Sequence, residues 1–375
     1  MNFSDQVFKS GERALYELRR LYQQYGYTRY KVSKFEEYDL YAHNKSFLVS
    51  ENILTFTDTN GKLMALKPDV TLSIVKNVRG EDASAHKLYY NETVYRTSQG
   101  SDGFREIMQT GLECIGEIDL YAMGEVLMLA QKSLAQISDD YILDLSHLGF
   151  LTGLLEQTGL NASDTAELIG LIGNKNIPAI TVFCASHGVA EELTDAVCKI
   201  TDLYAPLEIA LEQIRPMVRG ERMQEAYDQL CGVCDMMRVC GNSERLYLDF
   251  SIVNDMNYYT GIIFRGFING IPDGILSGGR YDSLLQKMGK QSGAIGFAVY
   301  LDLLERFGAD EDAFDVDTLL IYDDSIAPDA VIGTAAALRG TGKTVLAQKG
   351  EKTDIRCREK LRMTKGGLKV VEKHD

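Results

Sequence analysis

His86-Lys-Leu-Tyr-Tyr-Asn-Glu-Thr-Val-Tyr-Arg96 and Phe104-Arg-Glu-Ile-Met-Gln-Thr-Gly-Leu-Glu-Cys-Ile115 are two β-rich runs separated by the small, polar segment Thr97-Ser-Gln-Gly-Ser-Asp-Gly103. That pattern reads as two strands joined by a flexible loop. Alternation along the second run puts Arg105, Ile107, Gln109, Gly111 and Glu113 on one face, with Met108, Leu112 and Cys114 among those on the other. One face is core and the other is polar. A polar strand face with a glycine in its middle is either a solvated surface or the floor of a pocket where backbone approaches a ligand, and periodicity does not choose between them.

Outward from this pair, Ser10 to Tyr25 carries Ala14, Leu15, Leu18, Leu21, Tyr22 and Tyr25 on one helical stripe and ends at Gly26. Leu54 to Leu66, broken by Asp58-Thr-Asn-Gly61, is a hairpin signal because Asn-Gly adopts the positive φ such turns need. A helix is expected around Thr71 to Val78 and another near Tyr121 to Leu134. Leu148 to about Cys240 reads as almost wholly helical, with Asp164 and Glu167 as a capping box. Strand patterning returns in Leu246 to Val253, in Tyr258 to Phe267 and around Ile275, then Ser277-Gly-Gly-Arg-Tyr-Asp282 leads into a helix, and Ala294 to Phe307 supplies a last strand and helix. Two blocks of hairpin strands flanking a helical stretch imply one antiparallel sheet interrupted by a helical insertion. From Asp315 onward, Thr318 to Tyr322, Ala335 to Leu338 and Thr344 to Ala347 read as a β-α-β unit, while Cys357 to Asp375 offers no last strand and helix set. Gly340-Thr-Gly-Lys-Thr344 lacks P-loop spacing, since Ala337 stands where the first glycine belongs, and reads as a helix end turning into a strand.

The 375 residues are 45% hydrophobic and 25% charged, which excludes collagen-like, disordered and coiled-coil classes. No apolar run approaches the ~18 residues that span a bilayer, and no secretory signal is visible, so a cytoplasmic protein is expected. Thirty-nine basic against 54 acidic residues give a net charge of −15, which opposes broad contact with a phosphate backbone. Seven cysteines are expected as reduced thiols; Cys231, Cys234 and Cys240 fall on a helical pattern with no second pair or nearby histidine, so buried helix-face thiols are favoured over a metal or redox site.

Ordered fragments carry a resemblance. Phe56-Thr-Asp58, Leu66-Lys-Pro-Asp-Val-Thr71, Tyr95-Arg96, Phe104-Arg-Glu106, Gln109-Thr-Gly-Leu-Glu113 and Gly116 resemble the motif 2 region of the histidyl-tRNA synthetase catalytic domain, a class II synthetase. Tyr258-Tyr-Thr-Gly261, Ser277-Gly-Gly-Arg-Tyr-Asp282 and Gly296-Phe-Ala298 are similar to its histidine-binding and motif 3 segments. The matches run in order over roughly residues 10 to 306. The resemblance implies an α+β fold, a class II antiparallel sheet flanked by helices over residues 1–310 with a helical insertion at about 148–240, followed by a small, truncated α/β domain over 314–375. It further implies that Asp69, Thr71, Gln109 and Glu113 meet the ammonium and imidazole of histidine, with Tyr258 and Tyr259 closing over it. Arg96, counted with this pocket, matches the arginine that contacts the α-phosphate of ATP. For Arg96 and Glu113 an ordinary cross-strand ion pair is the alternative.

Departures from the family's pattern narrow the expectation. Asn254 stands where the family has a catalytic arginine, Leu303 where it has a second phosphate-binding arginine, and Tyr300 where it has a glycine. Losing one preorganised donor to developing charge typically costs ~10²–10³ in rate. Ser33 replaces the usual motif 1 proline, and the tail is short for an anticodon-binding domain. The residues that would face the amino acid are kept while arginines that would serve ATP are replaced, as in a sensor of histidine. The chain thus resembles the regulatory subunits of ATP phosphoribosyltransferase within that family. This implies a non-catalytic partner of a short-form catalytic subunit, with histidine as effector, a homodimer inside a hetero-oligomer, no cofactor, no tRNA and no membrane. The rivals are a divergent enzyme that activates an amino acid with ATP, and an RNA-binding regulator on the same scaffold.

Overall fold

The protein is described by a computed structural model, which covers residues 10–45, 48, 52–78, 85–97, 103–241, 243–253, 258–307, 314–350 and 354–374. The chain forms two compact units, Met1–Phe307 and Gly308–Asp375.

In the first unit α1 (Ser10–Gln24) buries Ala14, Leu18, Leu21 and Tyr22, the stripe expected from the sequence, and stops at Gly26 with φ +80°. Next come β1 (Thr28–Arg29), β2 (Phe35–Glu37), α2 (Tyr38–Ala42), β3 (Thr55–Thr57) and β4 (Leu63–Leu66). β3 and β4 form the expected hairpin, with Gly61 at φ +79°, and β2 pairs with the other side of β4. α3 (Thr71–Asn77) leads to β5 (His86–Thr97) and β6 (Phe104–Gly116), the two strands expected on either side of the polar loop. α4 (Leu120–Ile137) follows, with Asp119 capping it by accepting the Ala122 N–H.

β7 (Tyr141–His147) was not anticipated from the sequence. The helical stretch comprises α5 (Leu148–Glu156), α6 (Ala162–Gly173), α7 (Ile177–Ser186), α8 (Glu191–Asp202), the two-residue strand β8 (Ala205–Pro206), α9 (Leu207–Ile214) and α10 (Gly220–Cys240). The cap of α6 is Asn161, which accepts the Asp164 N–H at 3.0 Å, so the proposed Asp164–Glu167 capping box gives way to a cap three residues earlier. Cys234 is buried on α10, Cys231 half-buried and Cys240 exposed. Strand structure resumes in β9 (Leu246–Leu248), β10 (Ile262–Ile268) and β11 (Leu276–Arg280). These are shorter than expected: Tyr258 and Tyr259 precede β10, and Ser277–Arg280 lies in β11 itself. α11 (Asp282–Lys287), β12 (Gly293–Tyr300) and α12 (Leu301–Phe307) close the unit.

Among the described residues, nine strands form one sheet in the order β1-β5-β6-β12-β11-β10-β7-β9-β8. The six central strands, β5 to β7 in that order, are antiparallel, whereas β1 runs parallel to β5 and β9 parallel to β7. The all-antiparallel expectation therefore fails only toward the two edges. One sheet face carries a continuous core with α1, α4 and the helical stretch, joining Leu18, Leu112, Val126, Leu145, Phe150, Ile200 and Leu230. The other face is covered by α3, α11 and the small β2-β4-β3 sheet, around Leu72, Ile74, Tyr90, Val94, Tyr281 and Leu284.

In the second unit β13 (Val316–Tyr322), α13 (Pro328–Arg339) and β14 (Val345–Lys349) make the expected parallel β-α-β unit. Gly342, at φ +87°, turns the chain from α13 into β14. The tail, expected to offer no last strand and helix set, supplies two strands, β15 (Cys357–Thr364) and β16 (Gly367–Lys373), an antiparallel pair whose β15 lies beside β13. Gly367 at φ +114° lets that turn close, and no helix follows it among the described residues.

Candidate functional site

The site lies on the face of the sheet covered by α3 and α11. β4 delivers the chain through Lys67, Pro68 and Asp69 to the first turn of α3, where the Leu72 N–H donates to Asp69 Oδ1 at 2.8 Å. Thr71 Oγ1 donates to Glu113 Oε1 on β6 at 2.7 Å. The Tyr281 hydroxyl, at the end of β11, donates to the other Glu113 oxygen. Glu113 is only 2% exposed. The polar half of β6 from Gln109 onward is thus a covered floor and not a solvated surface, which resolves the ambiguity of its pattern.

Three glycines make that floor possible. A Cβ at Gly296, directly across from Glu113, would lie 1.9 Å from Glu113 Oε2. One at Gly279 would lie 2.6 Å from the Tyr259 ring, and one at Gly111 would lie 2.6 Å from the Tyr90 hydroxyl. The glycine gap in β6 is filled by Tyr90, a residue that the sequence pattern did not single out. Tyr258 packs edge-on to Tyr259 with ring centres 4.8 Å apart, and 5.6 Å from Tyr281.

Burial controls the electrostatics. Glu113 is pushed up to about 8 because desolvation outweighs the Thr71 and Tyr281 hydrogen bonds, and the neighbouring Asp69 adds to the effect. Asp69 is also raised by burial, against the pull of Arg96. Tyr90 and Tyr258 are raised by burial first and also by both acids, and Tyr281 by burial first and then by Glu113. Asp69 and Glu113 lie buried near each other, and burial shifts both toward their neutral forms. A cation beside them would reverse that preference, since charge-assisted bonds to carboxylates are the strong ones.

Arg96 Nε donates to the Pro68 carbonyl at 2.7 Å, and its Nη2 lies 3.9 Å from Asp69 Oδ2. In the β5–β6 ladder Arg96 faces Arg105 while Glu113 faces Leu88, so the alternative of an Arg96–Glu113 cross-strand pair is ruled out by register. Gln109 is 2% exposed, faces Glu92 and Tyr300 on the flanking strands, and has no hydrogen-bond partner for its Nε2. Buried donors rarely stay unpaired, so this amide is suited to take up an acceptor atom from a ligand. Asp69, Thr71, Glu113, Tyr258 and Tyr259 are therefore brought together, Arg96 joins through Asp69, and Gln109 lines the same floor. Leu303 is buried in the core on the other face, and Asn254 lies outside the described residues. A cleft of about 710 Å³ lies elsewhere, between α5, α8 and α9, and none of these residues lines it. Among the described residues no group of His, Cys, Asp and Glu is arranged to hold a metal ion, and no helix is long and apolar enough to cross a membrane.

Comparison with known proteins identifies the family. The family model described as Histidyl-tRNA synthetase matches residues 3–304. The ATP phosphoribosyltransferase regulatory subunit of Clostridium kluyveri is 31% identical over 316 residues, 81% of each chain. The chain belongs to the histidyl-tRNA synthetase family, among its ATP phosphoribosyltransferase regulatory subunits. The regulatory subunit of Oceanobacillus iheyensis is 28% identical over 341 residues, 89% of this chain and 84% of that one. Among solved structures, an ATP phosphoribosyltransferase regulatory subunit/histidyl-tRNA synthetase from Bacillus halodurans superimposes with a TM-score of 0.74 at 24% identity, over 94% of this chain and 93% of that one. A chain of the ATP phosphoribosyl transferase complex from Thermotoga maritima gives 0.62 at 19% identity, covering 80% and 98%. Both share the fold, which for this family confirms the class II α+β architecture expected from the sequence.

Proposed function

We propose that this chain is the non-catalytic regulatory subunit of an ATP phosphoribosyltransferase, that it activates a short-form catalytic subunit for the first step of histidine biosynthesis, and that it senses histidine. The observation that carries the sensing role is the cluster of buried Asp69, Thr71, Gln109 and Glu113 with the half-buried rings of Tyr258 and Tyr259 packed beside it. Its acids suit an ammonium or imidazole cation, and the free Gln109 amide suits an acceptor. Of the phosphate-gripping cations that the family resemblance calls for, Arg96 is kept but two are replaced, by Asn254 and Leu303, and Leu303 sits in the core. The pocket fits an amino acid and not the chemistry of adenylation. Relay to the catalytic partner requires histidine to bind two states of the complex with different affinity. The protein works as a homodimer within a hetero-oligomer in the cytoplasm, without tRNA.

The test is phosphoribosyl-ATP synthesis by the matching short catalytic chain, with and without this protein, across a histidine titration. A large rise in rate that histidine suppresses supports the proposal. No change in rate together with no physical association refutes it, and ATP–pyrophosphate exchange by this chain would then favour the divergent-enzyme rival.

A further inference from the structure

Lys67 is 1% exposed, yet it is a charged side chain. Its ammonium donates to Glu92 Oε2, and Glu92 Oε1 accepts the Val32 N–H at 3.1 Å. The Lys67 backbone is held on both sides: its N–H donates to the Lys34 carbonyl at 3.1 Å and its carbonyl accepts the Tyr95 N–H at 3.0 Å. The next residue, Pro68, takes the Arg96 bond; Asp69 and Thr71 follow, and Thr71 reaches Glu113. On β5, Glu92 stands directly opposite Gln109. One ion pair thus ties together the connection after β1, the segment entering α3 and the strand that walls Gln109.

Desolvating two charges offsets most of their attraction, so a buried pair contributes little net stability compared with apolar residues of the same shape, while it does define geometry. We propose that the Lys67–Glu92 pair is the positioning element of the histidine pocket: it sets Asp69 and Thr71 over Glu113 and the wall beside Gln109, without touching the ligand. This rests on the histidine reading of the pocket. Placement errors of about 1 Å typically cost up to ~10²-fold where several polar groups must converge.

The experiment uses the full chain with its catalytic partner and compares wild type with K67M/E92Q, K67R and E113Q. Histidine affinity is measured by calorimetry, activation at zero histidine by phosphoribosyl-ATP synthesis, and stability by melting. The double variant removes both charges and keeps the volume. It is expected to bind histidine roughly 10- to 100-fold more weakly, to activate within about twofold of wild type and to melt within a few degrees of it, with K67R recovering part of the affinity. Unchanged affinity in K67M/E92Q overturns the positioning role. So does a joint fall of affinity, activation and melting temperature, because the pair would then hold the fold as a whole. E113Q binding histidine as wild type does would instead overturn the pocket reading, and the positioning role with it.

Discussion

Replacing Glu113 by glutamine should change how stability depends on pH. The carboxyl sits at about 8 in the fold against an ordinary value of 4.5, because burial disfavours its charged form. Its folded-state value is raised, so between pH 4.5 and 8 the folded chain holds a proton that the unfolded chain has lost. The stabilising contribution is complete below pH 4.5 and disappears as pH rises through that window. At ~1.36 kcal/mol per pH unit, the move from 4.5 to about 8 corresponds to roughly 5 kcal/mol. Glu113→Gln keeps the shape and one acceptor for Thr71 or Tyr281 and removes the titration. The two proteins should therefore be close in stability near pH 5, and the variant should be the more stable by several kcal/mol at pH 8 to 9. Urea unfolding followed by circular dichroism at one-unit intervals from pH 5 to 9 measures the gap. A gap that stays constant over this range would falsify the assignment of a neutral, buried Glu113. Bound histidine should shrink the gap, since a cation beside Glu113 favours its ionised form.

Other expectations concern separate parts of the fold. Gly296→Ala places a methyl group where Glu113 Oε2 lies; overpacking of this kind typically costs about 1–3 kcal/mol, and histidine binding should fail with it, whereas unaltered binding and melting would contradict the close approach. His147 is held near 4 by burial, with Nδ1 accepting the Gly149 N–H and Nε2 bonded to Gln229. Its value is lowered, so its contribution is present above pH 6.5 and lost as pH falls toward 4; His147→Gln should flatten that acid limb, and an identical acid limb in the variant would count against a neutral histidine cap. Lys175 bonds the buried Asp249 at 2.9 Å beside Asp144, which burial and Asp249 push up to about 7. Lys175→Met should destabilise the unit by about 1–3 kcal/mol at pH 8, less at pH 5 where Asp144 is neutral; equal losses at both values would separate the lysine from that carboxyl pair.

Much of the site was legible as types of residue in order. Asp69, Thr71, Gln109, Glu113, Tyr258 and Tyr259 were all marked by motif resemblance, and the structure gathers them on one sheet face. Tyr90, Tyr281, Lys67 and Glu92 were not assigned roles, although Lys67 and Tyr281 lay inside motifs that carry the resemblance. Nothing in their local sequence shows that Tyr281 reaches Glu113 or that Lys67 reaches Glu92; these contacts arise when distant strands come into register. β7 was missed because Ile142-Leu143-Asp144-Leu145-Ser146 is short, follows a helix and gives buried polar residues on one face, a pattern weaker than that of β5 or β6. The tail lacks a last helix among the described residues, as expected, but its two strands are not legible in the sequence, because β16 is an exposed edge strand with little apolar alternation whose identity depends on pairing with β15.

The sequence by itself determined the helix and strand periods, the hairpin turn at Gly61, the helical stretch, and the family through spaced motifs, because these depend on neighbours in the chain. Tertiary structure alone decided that the polar face of β6 is covered, that Glu113 holds its proton near neutral pH, and that Arg96 serves Asp69 and not Glu113. Those are consequences of register and desolvation: they depend on which strand stands across the ladder and how much water is excluded, and neither is written in any local run of residues.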